Sequence, residues 1–176
     1  MIKTLLKNEL QSLSIRRNLL QKEIGGDSNI ANATLNGYFT GSKAVPIEKA
    51  VKIAQTSGDN LFTSQLAYKF LGFIQAMDGS LSSVSEAELD IFQKIESDER
   101  KSYKSLAQKL IVESKVRNLD REELRTIQTY GLEMLDEIVL ELTIAYKAFE
   151  VVGLDIQDAI EQKMPEWQAK NYMRRD

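Results

Sequence analysis

Between Leu19 and Pro46 the chain gathers side chains suited to recognition: amides at Gln21, Asn29, Asn32 and Asn36, hydroxyls at Thr40 and Ser42, and cations at Lys22 and Lys43. These groups donate and accept hydrogen bonds or meet anions, and none is a strong nucleophile. Elsewhere the 176 residues contain neither Cys nor His. Disulfides, thiolate metal sites, the usual zinc ligand and the commonest general base are therefore absent, which excludes a zinc finger or a hydrolase triad. Carboxylates, lysines and tyrosines remain without a visible set of base, nucleophile and orienting group. The sequence thus predicts no enzyme, no catalytic residue, no metal and no cofactor. The acidic runs Glu86–Asp90 and Asp120–Glu123 read as helix-start charges that complement the helix dipole.

The elements that must hold these groups are helical. Apolar residues recur every three or four positions, no sustained alternation of period two is present, and only 2 Pro and 9 Gly interrupt the chain. Five short helices are predicted in the first half: Ile2 to Arg16, Gln21 to Asp27, Ala31 to Thr40, one opened by Pro46 and ended by Gly58, and one capped by Asp59. The last carries Phe62, Leu66, Phe70, Phe73 and Met77 on one stripe. The polar stretch Asp78 to Ser83 reads as a linker, and Ser85 with Glu88 forms a capping box for the next helix.

About three helices follow. The first runs from Glu86 towards Val116, with Glu96 to Ser102 so polar that a break near Ser97-Asp98 is plausible. The second starts at Asp120 and carries Leu135, Ile138, Leu142, Ala145 and Phe149 at alternating spacings of three and four, a heptad seam that predicts dimerisation. Leu132, Val139 and Tyr146 form a second stripe on the same helix. Asp155 caps the last helix, which Pro165 should end or kink. The expected organisation is all-α, with an N-terminal domain over 1–78, a linker over 79–85 and a helical oligomerisation domain over 86–176.

A short helix, a turn and a second helix within Leu19–Gly41 need a small residue at the crossing, a turn residue tolerant of positive φ, and apolar pins. Gly25, Asn29, and Ile30 with Leu35 and Tyr38 fill those places. With Leu-x-Gln-x-Glu-Ile at Leu19–Ile24, Thr34-Leu35, Gly41 and Pro46, residues 2–70 resemble the lambda-repressor-like, or Xre, family of phage and bacterial regulators. The resemblance implies a five-helix helix-turn-helix domain whose recognition helix, from about Ala31, enters the major groove of double-stranded DNA. It assigns base readout to Asn32, Ala33, Asn36, Gly37 and Thr40, and phosphate contacts to Arg16, Arg17, Gln21, Lys22, Ser42, Lys43 and Lys49. Asn32 reads equally as a helix N-cap. Gly25, Ser28 and Asn29 depart from the Ala, apolar residue and Gly usual in the family.

Charge divides the chain. Residues 1–75 carry nine Lys+Arg and five Asp+Glu, a net +4, and residues 76–176 carry fourteen and twenty-one, a net −7. The expectation is a transcriptional regulator, a repressor of phage or prophage type, that binds a palindromic operator as a homodimer. The alternative is a protein-interaction module, such as an antitoxin or antirepressor, whose acidic C-terminal half binds a protein partner. With no apolar run of 18 residues, the chain is expected to be cytoplasmic and free of membranes.

Overall fold

The computed structural model describes residues 2–174, except the Ser82 side chain. Among them are eight α-helices and one two-stranded antiparallel pair, so the protein is predominantly helical. The chain falls into two compact units. The first holds the described residues up to Gln75 together with those from Ala148 onward, and the second holds Ala76–Lys147.

In the first unit, β1 (Lys3–Thr4) pairs with β2 (Val45–Pro46), Thr4 opposite Val45. Ile2 to Leu6 are therefore not helical as expected, and α1 spans Lys7–Arg17. The pairing seats Leu6 and Val45 in the core, both fully buried, which offsets the helical hydrogen bonds forgone. Next come α2 (Gln21–Asp27), α3 (Asn32–Thr40), α4 (Ile47–Ser57) and α5 (Asn60–Leu71). Leu10, Leu13, Ile24, Leu35, Ile53 and Phe62 make their common core. Gly58 at φ +57° closes α4. The Asp59 carboxylate accepts the Phe62 N–H at 2.6 Å to open α5. Contrary to expectation, α5 stops at Leu71, because Gly72 turns left-handed at φ +70°. Phe73, placed on the buried stripe by its spacing, is 62% exposed.

The second unit is built on two long helices. Ser80–Ser83 form a 3-10 turn, and the Ser85–Glu88 capping box starts α6 (Glu86–Glu113). The helix runs unbroken through Ser97-Asp98: Ser97 and Arg100 find a partner on α7 (Arg121–Val152), and Asp98 pairs with Lys101 of the same helix at 3.2 Å. Arg100 and Gln93 both hydrogen-bond the buried Glu137, and Gln93 reaches Glu141 at 3.2 Å. Burial opposes ionisation of Glu137, and hydrogen bonds from Ser97 and Arg100 outweigh it, holding its pKa below the usual carboxylate value. At the α6–α7 turn Arg117 bridges Glu113 and Glu123. That bond, with the Asp120 N–H, lowers Glu123 to about 2.

The expected boundary at 79–85 does not separate two sequential domains: the end of α7 and all of α8 (Ile156–Ala169) belong with the first unit. Gly153 at φ +67° ends α7. The buried Asn60 then takes both polar groups of the turn, its amide donating to the Leu154 carbonyl at 3.2 Å and accepting the Ile156 N–H at 2.8 Å. Contrary to expectation Pro165 does not end α8, which continues to Ala169; the Glu161 carbonyl that loses its helical donor there belongs to an exposed residue. Asn60→Ala should strip two hydrogen bonds at once and lower stability by about 1–3 kcal/mol. Urea denaturation checks this, and an unchanged midpoint would show the clasp to be idle.

Candidate nucleic-acid interface

The geometry of α2 and α3 rests on a close crossing. A Cβ on Gly25 would lie 3.0 Å from the Ile30 carbonyl oxygen, 3.1 Å from Asn32 Oδ1 and 3.2 Å from Leu35 Cδ2. Only a residue without a side chain sits there without displacing its neighbours. Asn29 adopts φ +55°, and the Ile30 N–H returns to the Gly25 carbonyl at 2.8 Å, so the turn is closed by the backbone. Ser28 is buried and its hydroxyl donates to the Ile24 carbonyl, satisfying a polar group in an apolar position. At the start of α2 the Glu23 carboxylate accepts the Leu20 N–H at 2.7 Å.

On α3, Leu35 and Tyr38 face the core while Asn32, Ala33, Asn36 and Thr40 are exposed. Asn32 is the first helical residue and Ala31 the cap, with no side-chain cap bond, so the N-cap reading of Asn32 is not realised. The Asn36 amide makes no hydrogen bond among the described residues. It is thus free to bind outward.

Gly37 differs from expectation. It is buried, because the aliphatic stem of Lys43 lies over it, with Lys43 Cδ 2.8 Å from where a Cβ would stand. Gly37 therefore offers no open approach to a base. Its carbonyl instead gathers the Lys43 N–H at 3.0 Å and the Thr40 and Ser42 hydroxyls at 3.3 Å each, so both hydroxyls help to end the helix. Gly41 at φ +75° completes that end.

The cations divide into two groups. Arg16 and Arg17, read as phosphate contacts, are engaged elsewhere. Arg16 grips the buried Asp59 with Nη2 at 2.8 Å and Nε at 3.2 Å, while Arg17 reaches Asp59 at 3.4 Å and donates to the Gly58 carbonyl. Lys22, Lys43 and Lys49 are exposed and make no ion pair among the described residues, and Gln21 is half-buried at the first turn of α2. Lys7 belongs with them, since its stem packs 3.5 Å from the Cβ position of Gly41, at the end of α3. Sequence reasoning missed it because Lys7 precedes the motif and meets it only through folding.

The predicted dimer seam is split. Leu135 and Ile138 are exposed on the second unit, Leu142 and Ala145 are half-buried there, and Phe149 lies in the first unit. Of carboxylates that could hold a cation, those of Glu96, Glu99 and Glu133 lie within 4.8 Å of one another. Burial, reinforced by Glu99, Asp136 and Glu133, raises the Glu96 pKa. An apolar cleft of about 240 Å³ opens between α4, α5 and the start of α8, lined by Val51, Leu66 and Phe70. No helix among the described residues is long and apolar enough to cross a membrane. No protein-family model, no curated protein and no solved structure matches the chain.

Arg16→Ala should cost about 1.5–3 kcal/mol, because it removes two charge-assisted hydrogen bonds from a buried carboxylate. Lys22→Ala, on the open surface, should change stability by no more than about 0.5 kcal/mol. Equal urea midpoints for the two variants would contradict this division of the cations.

Proposed function

We propose that the first unit is a lambda-repressor-like helix-turn-helix domain and that the protein is a DNA-binding transcriptional regulator of repressor type, acting as a homodimer. The observation that carries the reading is the outward row Asn32, Ala33 and Asn36 on a helix held by the Gly25 crossing and the left-handed Asn29. An amide without an internal partner can bridge N6 and N7 of adenine, and an alanine methyl can meet that of thymine. Lys7, Lys22, Lys43 and Lys49, exposed and without an ion pair among the described residues, neutralise phosphates, while Arg16 and Arg17 serve Asp59. Four cations correspond to a fall of log affinity with log salt of about −3 to −4 per bound domain.

A second reading draws on charge. Ala76–Lys147 carry ten Lys+Arg and fifteen Asp+Glu, a net −5, which favours a basic protein as a partner for that unit.

Asn36→Ala and Lys43→Ala separate base reading from backbone binding. Asn36→Ala should weaken operator binding by about 1–3 kcal/mol and barely alter binding to random duplex. Lys43→Ala should weaken both alike and reduce the salt slope by about one. Titrations of each variant on operator and random DNA at two salt concentrations provide the check. Equal loss on both duplexes for Asn36→Ala would remove it from base readout, and no duplex binding by the parent protein in about 50 mM salt would favour the protein-interaction reading.

A further inference from the structure

Every residue lining the cleft between α4, α5 and the start of α8 belongs to the first unit. Val51 and Ala54 of α4 and Leu66 and Phe70 of α5 supply its walls. Ala54 and Leu66 are each 6% exposed, so the cleft reaches the core, while Val51 at 40% stands at its rim. A cavity of about 150 Å³ takes a benzene. On that scale the 240 Å³ of this cleft admits a body of roughly ten non-hydrogen atoms. An occupant must therefore bring an apolar body of that size.

The polar groups of the cleft decide what else it must bring. Gln55, Thr63, Asp155 and Gln157 reach it. The Thr63 hydroxyl already donates to the Asp59 carbonyl at 3.1 Å. Gln55 and Gln157 are exposed, and their side-chain amides make no hydrogen bond among the described residues. Asp155 is half-buried and is the one ionisable side chain among the lining residues. Its Oδ1 accepts the Gln157 N–H at 2.7 Å, and no cation pairs with it among the described residues. Arg17 shares a neighbouring hollow with Asp155, but is held by Asp59 and the Gly58 carbonyl.

A carboxylate at the edge of an apolar space repels an anion and attracts a cation more strongly than it does in open water. The free amides of Gln55 and Gln157 each add a carbonyl oxygen able to accept from the same cation. An apolar body with a cationic, hydrogen-bond-donating head describes a small amine.

We propose that this cleft binds a small primary amine, its apolar body against Val51, Leu66 and Phe70 and its ammonium at Asp155. Such a ligand joins the first turn of α8 to α4 and α5 beside the Asn60 clasp, and its binding is independent of any contact with DNA. The probe is 2-phenylethylamine, set against 2-phenylethanol and phenylacetate, which keep the aromatic body and change the head. In an NMR titration of the full chain to about 20 mM, the methyls of Val51 and Leu66 should shift saturably, with a dissociation constant of roughly a millimolar for the amine. Phenylacetate should bind about tenfold more weakly, with the alcohol between the two. Asp155→Asn keeps the helix cap, because asparagine caps as well as aspartate, and should bring the three probes within about twofold of one another. Ala67→Leu, at a half-buried lining position, should weaken all three by about tenfold by filling the space. Circular dichroism checks that this variant is folded, and if it is not, Asp155→Asn decides alone. The proposal is overturned by the absence of saturable shifts, by a folded Ala67→Leu that binds like the parent, or by a preference for the amine that survives Asp155→Asn. Phenylacetate or the alcohol binding the parent as tightly as the amine also overturns it, since the site then makes no choice of charge.

Discussion

Two adjacent buried side chains at the start of α5 hold the first unit together. Asp59 and Asn60 are each 1% exposed, and neither could be buried without partners. Asp59 accepts from Phe62 on its own helix and from Arg16 at the end of α1, and Arg17 closes over the same corner. Asn60 takes the polar groups of the α7–α8 turn. The end of α1, the start of α5 and the C-terminal helix are thereby fixed to one corner. α1 packs in turn on the helices that present Asn36, so the corner stabilises the candidate interface without touching it. Two arginines predicted as phosphate contacts are thereby engaged with Asp59 and the Gly58 carbonyl.

The second unit obeys the same rule with the opposite result for its surface. Glu137 is tolerated between α6 and α7 because Arg100, Ser97 and Gln93 answer it. A seam given over to these polar groups leaves less of its width for apolar ones. Leu124, Leu135 and Ile138 therefore stand on the far side of α7, where water alone is an unfavourable neighbour. Polar satisfaction inside the pair of helices and apolar exposure outside it are one arrangement seen from two sides.

Much of the helical framework was legible in the sequence, because spacing and caps are local signals. Ser85 with Glu88, Asp59, Gly41 and Gly58 each mark an end that the structure keeps. Gly25 and Asn29 were readable for the same reason, since crossing and turn lie within a few residues of each other. What escaped depends on distance along the chain. Arg16 meets Asp59 across 43 residues, and Asn60 meets Leu154 across 94, beyond the reach of any periodic pattern. The β1–β2 pair is two residues long on each strand, too short for alternation to register. Gly37 looked outward by helical phase, and only the path of the Lys43 stem covers it. The unbroken α6 was obscured because Ser97 and Arg100 find their partner, Glu137, on another helix.

The proposal of a recognition helix acting in an assembly of two copies is tested most directly by hydroxyl-radical footprinting of the full protein on its own upstream DNA. It predicts two protected patches related by a two-fold axis, with centres about one helical turn, roughly 34 Å, or a multiple of it apart. It also predicts that the protection fades as salt rises. An unprotected duplex at low salt, or protection spread evenly without a repeated half-site, would contradict it.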